Sequence, residues 1–255
     1  MYFDTHAHYD DEAFDKDRDE LLSSMKAGGV DLIVDPACDT ASCAKAQGIA
    51  EKYTFVYFAA GVHPNEAEKA EPDFLDKVRG FLSHPKCVAV GEIGLDYHYG
   101  AEYKDEQKRI LRMQLELARE AKKPVIIHER DACADMLEIL HDYRDVLGVF
   151  HCFSGSWETA KIILDMGWNI SFTGVVTFKN ARKAVEVAGK MPIDRMMLET
   201  DSPYMAPVPH RGERCSSLLL PCIGRRIAEI RGLTEEETAY ITKENGKRFF
   251  GISEA

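Results

Sequence analysis

The chain has 255 residues, 45% of them hydrophobic, which suffices for a large core and suits a single domain of α/β-barrel size spanning 1–255. Its formal charge of −11 excludes a protein that grips nucleic acid by bulk electrostatics, although clustered carboxylates that bind cations leave a nucleic-acid enzyme open. Seven cysteines without a CxxC pair read as a reduced cytoplasmic protein, and no apolar window reaches the roughly 20 residues of a membrane span.

The first apolar run, Tyr2-Phe3-Asp4-Thr5-His6-Ala7-His8, carries no export signal and ends in two histidines separated by Ala7. Strand alternation puts both imidazoles on one face, where they can hold one metal ion. Further along, Glu92 closes the run Val88-Ala89-Val90-Gly91, His128 closes Pro124 to Ile127, and His151 closes Leu147 to Phe150. The last run, Met196 to Asp201, places Glu199 and Asp201 on one face. Strand-like runs end at His8, Pro36, His63, Glu92, His128, His151, Gly174 and Asp201, at steps of 23 to 36 residues, which gives eight strand-plus-helix units. Helical spacing occurs at 19–25, 41–53, 74–82, 105–121, 134–140, 159–166 and 181–187. It is clearest from Asp105 to Ala121, where Ile110, Leu111, Met113, Leu115, Leu117 and Ala118 form an apolar face.

Eight such units close most readily into a (β/α)8 TIM barrel, with the active site at the carboxyl ends of the strands. An open doubly wound sheet is the alternative, but it need not bring the first strand near the last. In a barrel His8 and Asp201 become neighbours. Histidine nitrogens and carboxylates suit Zn²⁺, Mn²⁺, Co²⁺ or Mg²⁺, and six such groups exceed what one catalytic ion needs, so two divalent cations per chain are expected. Glu92 is placed to bridge two ions, and Asp201 to bind one and accept a proton from water as general base.

HAH at 6–8, GVHP at 61–64, GEIGLDY at 91–97, PVIIHER at 124–130, HCFSG at 151–155 and ETDSPYMAP at 199–207 closely resemble the TatD family of metal-dependent deoxyribonucleases, within the amidohydrolase superfamily of metallo-dependent TIM barrels. The resemblance runs from residue 4 to Phe250, including the closing ENGKRFFG. It implies that His6, His8, Glu92, His128, His151 and Asp201 are metal ligands and that His63 lies near the substrate phosphate. Many superfamily barrels carry a carboxylated lysine at the end of strand 4. Here Glu92 stands there, and Lys122 and Lys123 precede strand 5 at the opposite end, which favours the TatD branch over phosphotriesterase-like barrels.

Two departures stand out. After Arg211-Gly212 the family commonly has asparagine and then proline, whereas this chain reads Glu213-Arg214-Cys215-Ser216-Ser217 with Pro221 later, so substrate contacts in that loop transfer least. Gly246 replaces a small helix former, at a cost of about 1 kcal/mol in helix propensity. Further candidate substrate contacts are His210, Arg211, Arg130 and Tyr97. Arg130 reads either as a phosphate contact or as a rim ion pair, and Tyr97 either as a base-stacking ring or as a cover of the barrel mouth. Asp4 and Glu199 read as orienting groups, and Cys152 as packing.

The leading expectation is a metal-dependent phosphodiesterase acting on DNA, removing nucleotides from single-stranded ends, with no membrane and no obligate protein partner. Hydrolysis of a small ester, amide or lactone through the same metal site is the alternative. A metal-holding scaffold that has lost catalysis is a third reading, disfavoured because every expected ligand and the base are present.

Overall fold

The computed structural model describes residues 1–253. Its strands are β1 (Tyr2–Asp4), β2 (Val30–Pro36), β3 (Val56–Ala60), β4 (Cys87–Asp96), β5 (Val125–Arg130), β6 (Gly148–Phe150), β7 (Asn169–Phe172) and β8 (Met196–Leu198). They follow one another in chain order within one eight-stranded sheet, and helices intervene, which is the (β/α)8 TIM-barrel fold. The polypeptide divides into two compact units, Met1–Asp35 with the chain from Cys152 onward, and Pro36–His151.

In the first unit β1 pairs with β2 and β7 with β8, both in parallel. Around them lie α1 (Arg18–Ser24), α6 (Trp157–Asp165), α7 (Arg182–Lys190), α8 (Leu220–Arg231) and α9 (Glu235–Phe250). The last two lie beyond the seven helical segments expected above. Thr234 begins α9 with a capping box: its side chain accepts from Glu237 N, and the Glu237 carboxylate accepts from Thr234 N at 2.9 Å. Phe3, Trp168, Phe172 and Phe250 are buried in this unit. A methyl group at Gly246 would lie 2.8 Å from the Phe3 ring and 3.0 Å from Thr5, so the glycine lets α9 press directly on the first strand segment. The departure seen in the sequence is therefore a packing requirement.

In the second unit β3, β4, β5 and β6 pair in parallel, in order. Their helices are α2 (Thr40–Lys52), α3 (Phe74–Leu82), α4 (Lys104–Ala121) and α5 (Cys133–Leu140). The apolar face of α4 forms much as its periodicity predicts, except that Met113 is half-exposed while Gln107 and Gln114 are buried. Both glutamines repay burial with paired bonds to backbone. Gln114 receives Val62 N at 2.7 Å and donates to Val62 O at 3.0 Å. Gln107 receives Asp96 N at 2.9 Å and donates to the carbonyls of Asp96 and Gly100, each at 3.0 Å. The helix thereby anchors the chain as it leaves β3 and β4. At Gly94, a Cβ would fall 2.8 Å from the His128 carbonyl carbon and 3.0 Å from His128 N, so β4 and β5 approach there as bare backbone.

No helix among the described residues is long and apolar enough to cross a membrane.

Candidate metal centre

In the first unit β1 ends at Asp4, short of both histidines, yet the backbone pairing continues. Thr5 N donates to Leu198 O, Ala7 N to Val34 O, Asp201 N to His6 O, and His8 N to Ser202 O, at 2.8–3.1 Å. This extension keeps the alternation that the sequence suggests, and the two imidazoles meet: His6 Nε2 and His8 Nε2 stand 3.1 Å apart. Asp201 Oδ1 lies 3.6 Å from the first and 3.5 Å from the second. Asp201 adopts φ 57°, a left-handed conformation uncommon outside glycine, although aspartate and asparagine enter it more readily than most residues.

A polar layer supports this group. Asp4 is fully buried and accepts from Thr200 N at 2.9 Å, and from the hydroxyls of Thr200 and Ser217, each at 2.6 Å. Burial pushes its carboxyl up to about 7, against the opposing pull of Ser217 and Thr200. Ser217 belongs to the stretch that departs from the family pattern, and it reaches the layer beneath the ligands. Glu199 accepts from Cys152 N and, at 2.6 Å, from the Ser171 hydroxyl, an orienting arrangement. Cys152 itself takes φ 45° and places its sulfur 3.4 Å from Thr173 Oγ1.

His8, Asp10 and Asp35 form a further buried group whose ligand atoms lie within 4.8 Å of one another. Burial drives the Asp35 carboxyl well above its usual range, and Asp10 adds to that push. The sequence reading missed both aspartates. Asp35 had a signal, as the charge inside the apolar run Val30 to Pro36.

In the second unit Glu92 lies within β4, where the register with β5 slips between Val90 and Ile93. The Gly91–Glu92 peptide is cis, and Glu92 N donates to Ala37 O at 2.9 Å. Three imidazoles surround one carboxylate oxygen. Glu92 Oε1 lies 2.8 Å from His128 Nδ1, 2.8 Å from His151 Nε2 and 3.6 Å from His63 Nε2. His128 Nδ1 and His151 Nε2 are 3.2 Å apart.

Outer partners assign the tautomers. His128 Nε2 lies 3.2 Å from Asp96 Oδ2, which accepts its proton and leaves the Nδ1 lone pair facing Glu92. Burial alone would lower the His128 pKa, but Asp96 and Glu92 outweigh it and the net shift is upward. Asp96 is held below the usual carboxylate range; burial works against this, and His128 with the amides of Tyr99 and His98 prevails. His63 is different. Its Nδ1 accepts from Asn65 N at 3.1 Å, so a neutral ring carries its proton on Nε2 and is a donor toward the site, unsuited to ligation through that atom.

Both clusters fit a cation. Imidazole nitrogens and carboxylate oxygens 2.8–3.2 Å apart leave room between them for either a shared proton or a shared cation. A tetrahedral ion with bonds of 2.0–2.1 Å sets its ligand atoms about 3.4 Å apart, close to the spacings found. The donors are nitrogen and oxygen, a set that suits divalent zinc or manganese and, through its carboxylates, magnesium.

The remaining candidates lie outside these clusters. Tyr97 donates to Asp135 Oδ2 at 2.6 Å and carries Lys104 Nζ over its ring at 4.3 Å. His210 Nδ1 sits 2.9 Å from Glu213, and the Arg211 guanidinium covers the Phe178 ring at 3.7 Å. Arg130 makes no ion pair among the described residues; its guanidinium lies 4.7 Å from the Tyr99 ring centre. Tyr99 was not singled out from the sequence.

A family model described as TatD related DNase matches residues 3–251. An uncharacterized metal-dependent hydrolase of Bacillus subtilis (strain 168), YabD, is 42% identical over 99% of this chain and 100% of its own length. The 3′-5′ ssDNA/RNA exonuclease TatD of Citrobacter koseri is 32% identical over 98% of this chain and 99% of its own. Among solved structures, the TatD homologue YJJV of Escherichia coli K12 superposes with a TM-score of 0.93 at 31% identity, covering 99% of this chain and 98% of that one.

Proposed function

The chain belongs to the TatD-related DNase family of metal-dependent hydrolases, and on that premise we propose that it is a deoxyribonuclease removing nucleotides from the 3′ end of single-stranded DNA. Two divalent cations, Mg²⁺, Mn²⁺ or Zn²⁺, would be held by His6, His8 and Asp201 in the first unit and by Glu92, His128 and His151 in the second. The observation that carries this reading is the crowding of His128 and His151 nitrogens around Glu92 Oε1, matched by His6, His8 and Asp201. All six residues lie in or just beyond the strands of a barrel fold whose catalytic groups gather at the strands' carboxyl ends. The name of the Citrobacter relative supports a single-stranded nucleic acid as substrate.

Divalent cations bound by this set would supply Lewis acidity toward phosphoryl oxygens and would make water a stronger acid near neutral pH. The protein supplies the rest. The Asp201 carboxylate takes a proton from the attacking water as its oxygen bonds to phosphorus; the bond from phosphorus to the 3′ oxygen of the remaining strand breaks, and that oxygen leaves as a hydroxyl, taking the proton back from Asp201. His63 Nε2 donates to a non-bridging phosphate oxygen, stabilising the charge that builds there. Asp96 keeps His128 in the tautomer that ligates. We further propose that the chain works as one domain, since the family match runs through both compact units, and in the cytoplasm, the reading suggested by an odd count of seven cysteines without a CxxC pair.

The test uses a single-stranded oligonucleotide with a label that survives 3′ trimming, incubated with chelated protein and then with Mg²⁺, Mn²⁺ or Zn²⁺. A ladder that returns with metal is expected. No cleavage with any of the three, beside turnover of a model ester or lactone, would replace the nuclease by a small-ester hydrolase.

A further inference from the structure

We infer that Tyr99 and Arg130 form a stacking platform for one base of a single-stranded substrate, a specificity-determining pair beside the His128–Glu92 cluster; the inference rests on the nuclease reading above. Tyr99 is 65% exposed, so the ring contributes little to the core. It is nonetheless held in place. The Arg130 guanidinium lies 4.7 Å from the ring centre, and the His98 ring meets it edge-on at 4.6 Å and 89°. The backbone beneath is equally constrained. Asp96 Oδ1 accepts from His98 N at 2.9 Å and Tyr99 N at 3.0 Å, while Gln107 clasps the carbonyls at both ends of the turn, Asp96 and Gly100.

The same Asp96 carboxylate contacts His128 Nε2 through its other oxygen, at 3.2 Å. One side chain therefore positions both the cluster's imidazole and the turn that presents the tyrosine. Arg130 lies two residues beyond His128 and pairs in register with Asp96 on the β4–β5 ladder. The neighbouring acids are already engaged: Asp131 with His98 at 3.2 Å, and Asp135 with Lys108 and Tyr97 at 2.6 Å. The Arg130 donors thus stay available to a phosphate while its plane supports the ring. An exposed, preorganised aromatic with a cation behind it suits the π-face of a base, which only an unpaired strand offers. Because every base has such a face, the platform selects for single strands without selecting sequence.

Binding in the absence of metal separates this inference from catalysis. Fluorescence anisotropy at low salt in EDTA would compare a labelled oligothymidine with an abasic strand of equal length, on wild type, Tyr99→Ala, Tyr99→Phe and Arg130→Ala. Tyr99→Ala should weaken oligothymidine binding roughly tenfold to a hundredfold, leave the abasic strand unchanged, and be rescued by Tyr99→Phe. Arg130→Ala should weaken both strands. Equal affinities for the two strands in wild type, equal losses on both in Tyr99→Ala, no loss, or no binding at all would each overturn the platform. The metal-restored ladder is scored on the same preparations. A base-dependent contrast without a ladder defeats the nuclease and spares the platform; a ladder without the contrast does the reverse.

Discussion

Asp201 combines an uncommon backbone conformation with a carboxylate oxygen equidistant, within 0.1 Å, from two imidazole nitrogens at 3.5 and 3.6 Å. Asparagine tolerates the same φ and has nearly the same shape, so Asp201→Asn isolates the charge and the proton-accepting oxygen. The variant should keep its melting temperature in metal-free buffer and lose about 10²- to 10⁴-fold in kcat at saturating metal. Unchanged kcat would remove Asp201 from the role of base. Asp4 supports a prediction about pH. Its folded-state pKa, about 7, lies above the unfolded value of about 3.9, so the folded state binds the extra proton between the two. Stability from this group is complete below pH ~4 and is lost as pH rises through about 7. Asp35 shifts in the same direction. Urea titrations of metal-free protein should therefore show stability declining across that window, and Asp4→Asn should flatten the decline. An unaltered slope would mean that Asp4 stays ionised in the fold.

Among the elements, α9 puts two effects of opposite sign in competition. Alanine at 246 gains about 1 kcal/mol of helix propensity, but its methyl would meet Phe3 at 2.8 Å in a buried contact. Overpacking of this kind costs about 1–3 kcal/mol, so Gly246→Ala should be destabilising, by up to about 2 kcal/mol net in urea unfolding. A stabilised variant would show that Phe3 can move aside. The same contrast marks what the sequence could reveal. Periodicity located α4 to within a residue because its face is mostly apolar, yet it passed over Gln107 and Gln114, whose burial depends on backbone groups that no residue pattern announces. The six proposed ligands were legible because each is a polar residue closing or following an apolar run. Asp10 and Tyr99 were not, since alternation carries no information once the chain turns, nor was Asp96, because the register slip between Val90 and Ile93 breaks the alternation along β4. The strand assigned to 2–8 shortens to Tyr2–Asp4, but its consequence survives because backbone pairing continues beyond the regular ladder.

For the molecule as a whole, cation binding should be coupled to stability. A ligand that binds only the folded state stabilises it by about 4 kcal/mol at a thousandfold excess over Kd, so chelation should lower the melting temperature and added Mn²⁺ or Zn²⁺ restore it. Calorimetric titration should give two ions per chain for wild type and one each for His8→Ala and His128→Ala. A stoichiometry of one in wild type would refute the binding of two ions.

The bare-backbone contact at Gly94 supplies a control that the ligand variants cannot. Replacing Gly94 with alanine would push on the His128 peptide and swing its imidazole while leaving every donor atom in the chain. Such a protein would be chemically complete and geometrically misassembled. Its ion affinity and turnover, set beside those of His128→Ala, would divide the contribution of possessing the ligands from that of holding them in place.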